Sequence, residues 1–430
     1  MSVVSSMATG VSGLEAHGQA LGVVSDNIAN ANTTGFKCSR GEFQSILAQD
    51  MLNAASGSQI GRGVILEGVT GQFTQGAITK TERGTDVSIS GNGFFVVRNE
   101  GRGVTYTRDG SFRFDKDGWL TTLTGDRVQA WDATPDTGKV TGKLADIRIP
   151  YKTIAARPTD KLELQVNLDG RQKIGQPLNL LKPEETAQFT TGVSVYDSIG
   201  NVHAVSVYFN KTADATWEYY AMTDGEGVAG GVPGEPAALA QGTLLFDELG
   251  RLQSVEQNLL NTTFANGAVP DQPLVFDFGD PLDQDGTGVK GTTQYGSKHA
   301  SFRNVQDGYP AGYLIDVNID DDGVLMGVYN NGVNKTIGQL AMARFESTER
   351  LAKSDHNQLR ETVAAGKPIV GKANTNGFGN IMAKSLEGSN VDLAKEFVDL
   401  MKFQRGFQAN AKTITTAGEM LEEVINLRRT

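Results

Sequence analysis

One apolar period appears at both ends of this chain and is lost between them. Val3, Met7, Leu14, Leu21, Val24 and Ile28 are separated by steps of four, seven and three, with Gly10 and His17 completing the register. Leu393, Phe397, Leu400, Phe407, Ala411, Ile414, Leu421 and Ile425 keep the same kind of register, interrupted by Gln404 and Gly418. Steps of three and four place one apolar stripe along an α-helix, as in a coiled-coil seam. Such a stripe needs a cover. Periodicity alone leaves open whether the two stripes cover each other or pack on neighbouring copies.

The helix ends carry their own signals. Ser389-Asn390-Val391-Asp392 fits a capping box with Asp in place of Glu, and Arg428 and Arg429 suit the negative end of a helix dipole. Gly10, Gly13, Gly18 and Gly22 punctuate the first helix, each costing roughly 0.8–1 kcal/mol against Ala. The expectation is therefore of terminal helices that are mobile in the monomer and fold on assembly.

Between the stripes the text is β-like and turn-rich, in keeping with 52 glycines. Asp109-Gly110, Asp117-Gly118, Asp322-Gly323 and Asn331-Gly332 read as hairpin turns. The segment from Phe112 to Leu120 resembles that from Val317 to Leu325, and a divergent block separates them. The economical reading is one β domain interrupted by another. The inserted block has a hairpin of its own, Val193–Tyr196 to Val205–Phe209, turning at Ile199-Gly200-Asn201.

Catalytic and metal-binding patterns are missing from the sequence. Asn318-Ile319-Asp320-Asp321-Asp322-Gly323 starts like a calcium loop, but Tyr329 stands at the twelfth position, where a bidentate Glu is required. A solvated turn is the expectation. His17, His203, His299 and His356 have no metal-ligand spacing, and neither a nucleophile elbow nor a phosphate loop occurs. No catalytic residue, cofactor or metal is expected. A net charge of -11 without a Lys/Arg cluster argues against nucleic acid. No run approaches the roughly 20 apolar residues of a membrane span, and Met1–Gly22 lacks a secretory signal. Cys38 is the sole cysteine, so no intramolecular disulfide forms.

Asn27-Ile28-Ala29-Asn30 followed by Thr34-Gly35-Phe36-Lys37 resembles a signature of bacterial flagellar rod and hook axial proteins. The run Glu387 to Leu393, with Asn390, Val391 and Asp392, and the run Gln404 to Asn410, with Gln404 and Arg405, resemble that family's other end. Val195 to Asn201, Gln306 to Tyr309, Ile337 to Ala341 and Glu361 to Gly379 are similar to motifs of its hook members, which carry a long insert that rod members lack. Asp26 stands where the family often has Asn, and Phe407 where Tyr is common.

The resemblance implies a structural subunit of the flagellar hook: a flexible helical tube of many copies that passes torque from rod to filament. It implies contact with itself, the distal rod protein, the hook cap protein, the hook-filament junction protein and the flagellar type III export apparatus. Location outside the cell, by export without a cleaved signal, follows from the same likeness. A distal rod subunit and a secreted adhesin-like β protein are the alternatives. The expected fold is multidomain α+β. Its parts are coiled-coil-like terminal helices (1–32 and 388–430), linkers (33–70 and 366–387), a split mainly-β domain (71–145 and 292–365) and an inserted mainly-β domain (146–291). The assembly seam is expected at Leu14, Leu21, Val24, Ile28, Leu393, Phe397, Leu400, Phe407, Ile414, Leu421 and Ile425. The likeness further implies that the first helix ends at Asn30–Gly35 so that the chain can enter the outer domains, with Phe36 anchoring the linker.

Overall fold

A computed structural model describes residues 3–46, 49–50, 59–134, 138–149, 153–259 and 262–427. The capping role read for Arg428 and Arg429 lies outside these residues. The protein is mostly β with a long helix at each end, Val3–Ala29 and Leu393–Leu427. It divides into two compact units, one of Met1–Pro150, Asp316–Val328 and Asn334–Thr430, the other of Tyr151–Ile315 with Tyr329–Val333.

In the first unit, strands from both sides of the interruption share a sheet. Phe94–Asn99 pairs antiparallel with Gly103–Thr107 and with Arg127–Ala133, and the last of these pairs with Asn334–Leu340. Phe94, Val96, Tyr106, Ala343, Phe345 and Leu359 pack beneath it. Two short pairings then draw the chain ends together: Asn380–Ala383 on Val87–Ser90, and Ser385–Glu387 on Ile78–Lys80.

The two similar segments are built alike. Asp115 Oδ1 accepts from the amides of Asp117 and Trp119, and Asp320 Oδ1 from those of Asp322 and Val324. Gly118 (φ 83°) and Gly323 (φ 75°) supply the left-handed residue each turn needs. In the calcium-like run Asp320 serves its own turn, Asp321 Oδ1 accepts from the Ala383 amide and Asp322 Oδ1 from Asn374 Nδ2, and no cluster of three candidate ligands occurs among the described residues. Asp109-Gly110 is not a hairpin turn. A Cβ on Gly110 would stand 1.8 Å from the Val87 carbonyl oxygen, so glycine there permits close backbone approach instead.

The second unit has a five-stranded antiparallel sheet in sequential order from Phe189–Tyr196 to Leu252–Leu259. The expected hairpin is present, with Val193 opposite Val205 and Tyr196 opposite Val202. A smaller sheet joins Lys161–Asn167 to Val275–Asp277 and Ala300–Gln306. Trp217, Tyr219, Phe276 and Phe278 fill the core. Residues 292–315 fall in this unit, beyond the 146–291 read as the insert, because Ala300–Gln306 finds its partner in Lys161–Asn167.

Candidate assembly interface

The terminal helices pair antiparallel. Small residues make this possible: the buried face of the first helix is Gly10, Gly13, Ala16, Ala20, Val24 and Asn27. A Cβ on Gly13 would lie 2.7 Å from the Asn410 side chain, and one on Gly406 2.8 Å from His17 Nε2. His17, Phe43 and Phe403 form an aromatic cluster with centroids 5.7–6.0 Å apart. They edge a cleft of about 700 Å³ between the helices and the hairpin Ser39–Ser45/Val64–Gly71.

The expected seam residues do not share one environment. Val24 is buried, while Leu14, Leu21, Ile28, Leu400, Phe407, Ile414 and Leu421 are half-buried. Leu393, Phe397 and Ile425 are exposed, as are Val398, Met401, Met420 and Val424. Of the second helix's apolar residues, one set is turned toward its partner helix and another is open to solvent.

The signature residues from the two ends meet at the root of the helix pair. Asn27, 1% exposed, donates from Nδ2 to the Ser39 carbonyl and accepts from the Ser39 amide at Oδ1, both at 2.8 Å. Its Nδ2 also reaches Glu396 Oε2 at 3.2 Å. Asn30 closes the helix end by donating to the Asp26 carbonyl, and Thr33 donates to Asn30 Oδ1. Gly35 has φ 67°, and a Cβ there would sit 2.6 Å from the Arg108 backbone, so only glycine fits. Phe36 is buried, with Lys353 Nζ 4.9 Å from its ring centroid. The Thr34 carbonyl accepts from Asn357 Nδ2.

From the C-terminal side, Asn390 Oδ1 accepts from the Cys38 amide at 2.7 Å while its Nδ2 donates to Gln72 and Thr74. The capping box shifts accordingly. Asp392, not Ser389, caps the helix, with Oδ1 accepting from the Ala394 and Lys395 amides. Ser389 Oγ accepts from the Val391 amide instead, closing a local turn before the helix. Val391 is half-buried, and Ala29, Gln404 and Arg405 face solvent.

Sequence reasoning missed the charges at this junction. Glu387 is fully buried between Lys37 and Arg108, with Nζ to Oε1 2.6 Å and Nη1 to Oε2 3.2 Å. Burial pushes the Lys37 ammonium below its usual range, against the pull of Glu387, and lowers the Arg108 guanidinium in the same way. Lys37 and Glu387 both lie inside the end motifs, and that was the available hint. Nothing in a single sequence pairs them with Arg108.

Four family descriptions match the chain in order. Residues 7–37 match the flagella basal body rod protein, and 88–171 the flagellar hook protein FlgE/F/G D1 domain. Residues 167–309 match the flagellar basal body protein FlaE D2 domain, and 382–427 the flagellar basal body rod FlgEFG protein C-terminal region. The chain is 34% identical over 426 residues to the flagellar hook protein FlgE of Escherichia coli, covering 97% of this chain and 98% of that one. Against FlgE of Borreliella burgdorferi it is 33% identical over 458 residues, covering 98% and 99%. The crystal structure of Helicobacter pylori flagellar hook protein FlgE2 superposes with a TM-score of 0.52 at 15% identity, covering 72% of this chain and 100% of that one. That last likeness concerns the fold alone. The full-length identities establish the kinship, and the chain belongs to the flagellar hook protein family.

Proposed function

We propose that this structural subunit, which is not an enzyme, assembles through its terminal helices into the flexible tube of the hook. One observation carries the reading. The C-terminal helix, already paired along one side, leaves Leu393, Phe397 and Met401 exposed at four-residue steps, with Met420 and Val424 beyond them. An apolar stripe of this kind calls for a further partner, and in a homopolymer a neighbouring copy supplies it.

In this reading residues 1–32 and 388–430 form the inner layer around a channel, and residues 33–70 and 366–387 are linkers. The two β-rich units stand outside and shift as the tube bends. The seam contains Leu14, Leu21, Val24, Ile28, Leu393, Phe397, Leu400, Phe407, Ile414, Leu421 and Ile425. The distal rod, cap and junction proteins would meet the two ends of the tube, and the flagellar export apparatus would deliver the chain outside the cell without a cleaved signal. Among the described residues no helix is long and apolar enough to cross a membrane.

Immunogold labelling of isolated flagella with an antibody against residues 151–315 tests the placement. Gold on the short curved segment is expected. Gold on the straight shaft below it would make the chain a rod subunit, and absence from the flagellum would return the adhesin-like alternative.

A further inference from the structure

Lys37, Arg108 and Glu387 bring two cations and one carboxylate into a single buried cluster, although Glu387 lies 350 residues beyond Lys37 and 279 beyond Arg108. Both cationic side chains are 6% exposed and the carboxylate 0%. Lys37 Nζ also donates to the Thr74 carbonyl, and Arg108 donates to the carbonyls of Ile89 and Gly91. Glu387 arrives at the end of the strand Ser385–Glu387 and further accepts from the Gly76 amide at 2.8 Å. Its own carbonyl accepts from the Gly35 amide at 2.7 Å. The root of the N-terminal helix is thereby tied to the β sheet through one residue near the other end of the chain.

We propose that this cluster is a latch that closes last: Lys37 docks the root of the N-terminal helix only once the strand carrying Glu387 has joined the sheet. Before then, docking would drive Lys37 toward Arg108. Two like charges would lose water in a site that offers no anion, and both Coulomb repulsion and desolvation oppose that. The arriving carboxylate reverses the sign. The N-terminal linker therefore stays undocked while the middle of the chain folds, and it locks when the C-terminal segment takes its place. This concerns the free chain and holds whichever way the subunit assembles.

The charge count gives the two partners different mutational signatures. Removing Lys37 leaves a neutral Arg108–Glu387 pair, so the sheet keeps its balance while the linker loses its tether. Removing Glu387 leaves two uncompensated cations. Cys38 provides the readout, being the sole cysteine, buried, and next to Lys37. Its maleimide labelling rate, divided by the rate for the same variant unfolded in urea, measures latch opening in the full-length chain. Tryptophan fluorescence reports the β units separately, through Trp119, Trp131 and Trp217.

Lys37→Met should label at least about tenfold faster than the native chain with an unchanged fluorescence midpoint, and Lys37→Arg should stay slow. Glu387→Gln should label fastest. Adding Lys37→Met to Glu387→Gln should then slow labelling, because it relieves the repulsion. The latch is overturned if Lys37→Met labels at the native rate, if native Cys38 labels like the unfolded chain, or if faster labelling merely tracks a fallen fluorescence midpoint. Closing order is overturned if Lys37→Met accelerates labelling in the Glu387→Gln background too. Should Glu387→Gln not fold, Arg108→Met replaces it: with the repelling cation gone, Cys38 should become protected earlier in refolding than in the native chain, read by pulsed maleimide labelling, and protection at the native time overturns the closing order.

Discussion

Asn27 uses both ends of its amide on a single residue, holding the Ser39 amide and carbonyl where the first helix gives way to the hairpin. Asn27→Leu keeps the volume and leaves both backbone groups buried without a partner, at roughly 1–3 kcal/mol each. A loss of about 2–6 kcal/mol in urea unfolding is the expected outcome. Asn30→Ala removes only partly exposed local bonds and should cost less than about 1 kcal/mol. Equal costs would show that the clamp adds nothing. Asp146 makes the matching case for pH. Burial opposes its charge, but hydrogen bonds from Gln129, Arg98 and Arg127 outweigh that and hold its pKa below the usual carboxylate value. A depressed folded pKa gives stability that is present above the unfolded value, about 3.9, and is lost as pH falls through the folded one. Asp146→Asn should therefore weaken the native chain at neutral pH and flatten its stability loss below about pH 4, read by urea unfolding across pH 2 to 7.

At the scale of elements, the terminal helices were legible because their apolar period is long and regular. The faces they use were not. The helix–helix contact rests on Gly10, Gly13, Ala16 and Ala20, residues too small to register as an apolar stripe, so the heptad reading merged two environments. Turns with an Asp at the first position were readable, since that residue type caps its own backbone. Asp109-Gly110 failed because its glycine answers a strand that lies elsewhere in the sequence. The junction was half-legible: the Asn and Gly-Phe motifs marked it, but the ion cluster depends on pairing that only the fold supplies. The exposed stripe supports a sharp prediction. Phe397→Asp adds a charge where the isolated chain is already open to water, so its unfolding free energy should change by less than about 0.5 kcal/mol while polymerisation is abolished. Tubes of native length seen by electron microscopy would remove Phe397 from the seam.

Across the whole molecule the boundary of the second unit was the hardest feature to read, because Ala300–Gln306 returns to pair with Lys161–Asn167 after a long excursion. Charge, by contrast, is fully visible in the sequence and bears directly on assembly. Every copy adds the same -11, so a growing homopolymer works against its own field. Apolar contacts between helices are not weakened by moderate salt, whereas repulsion between exposed charges is screened over about 30 Å at 0.01 M and about 10 Å at 0.1 M. If the helix stripe drives assembly and net charge opposes it, elongation of purified chain should quicken as salt rises from roughly 0.01 to 0.15 M. The gain should then level off, because charges farther apart than the screening length no longer contribute. Light scattering, with tube lengths measured by electron microscopy, gives the rate. Slower growth over that range would mean that opposite charges meeting between copies outweigh the net repulsion, and the seam would then be electrostatic where an apolar one is expected.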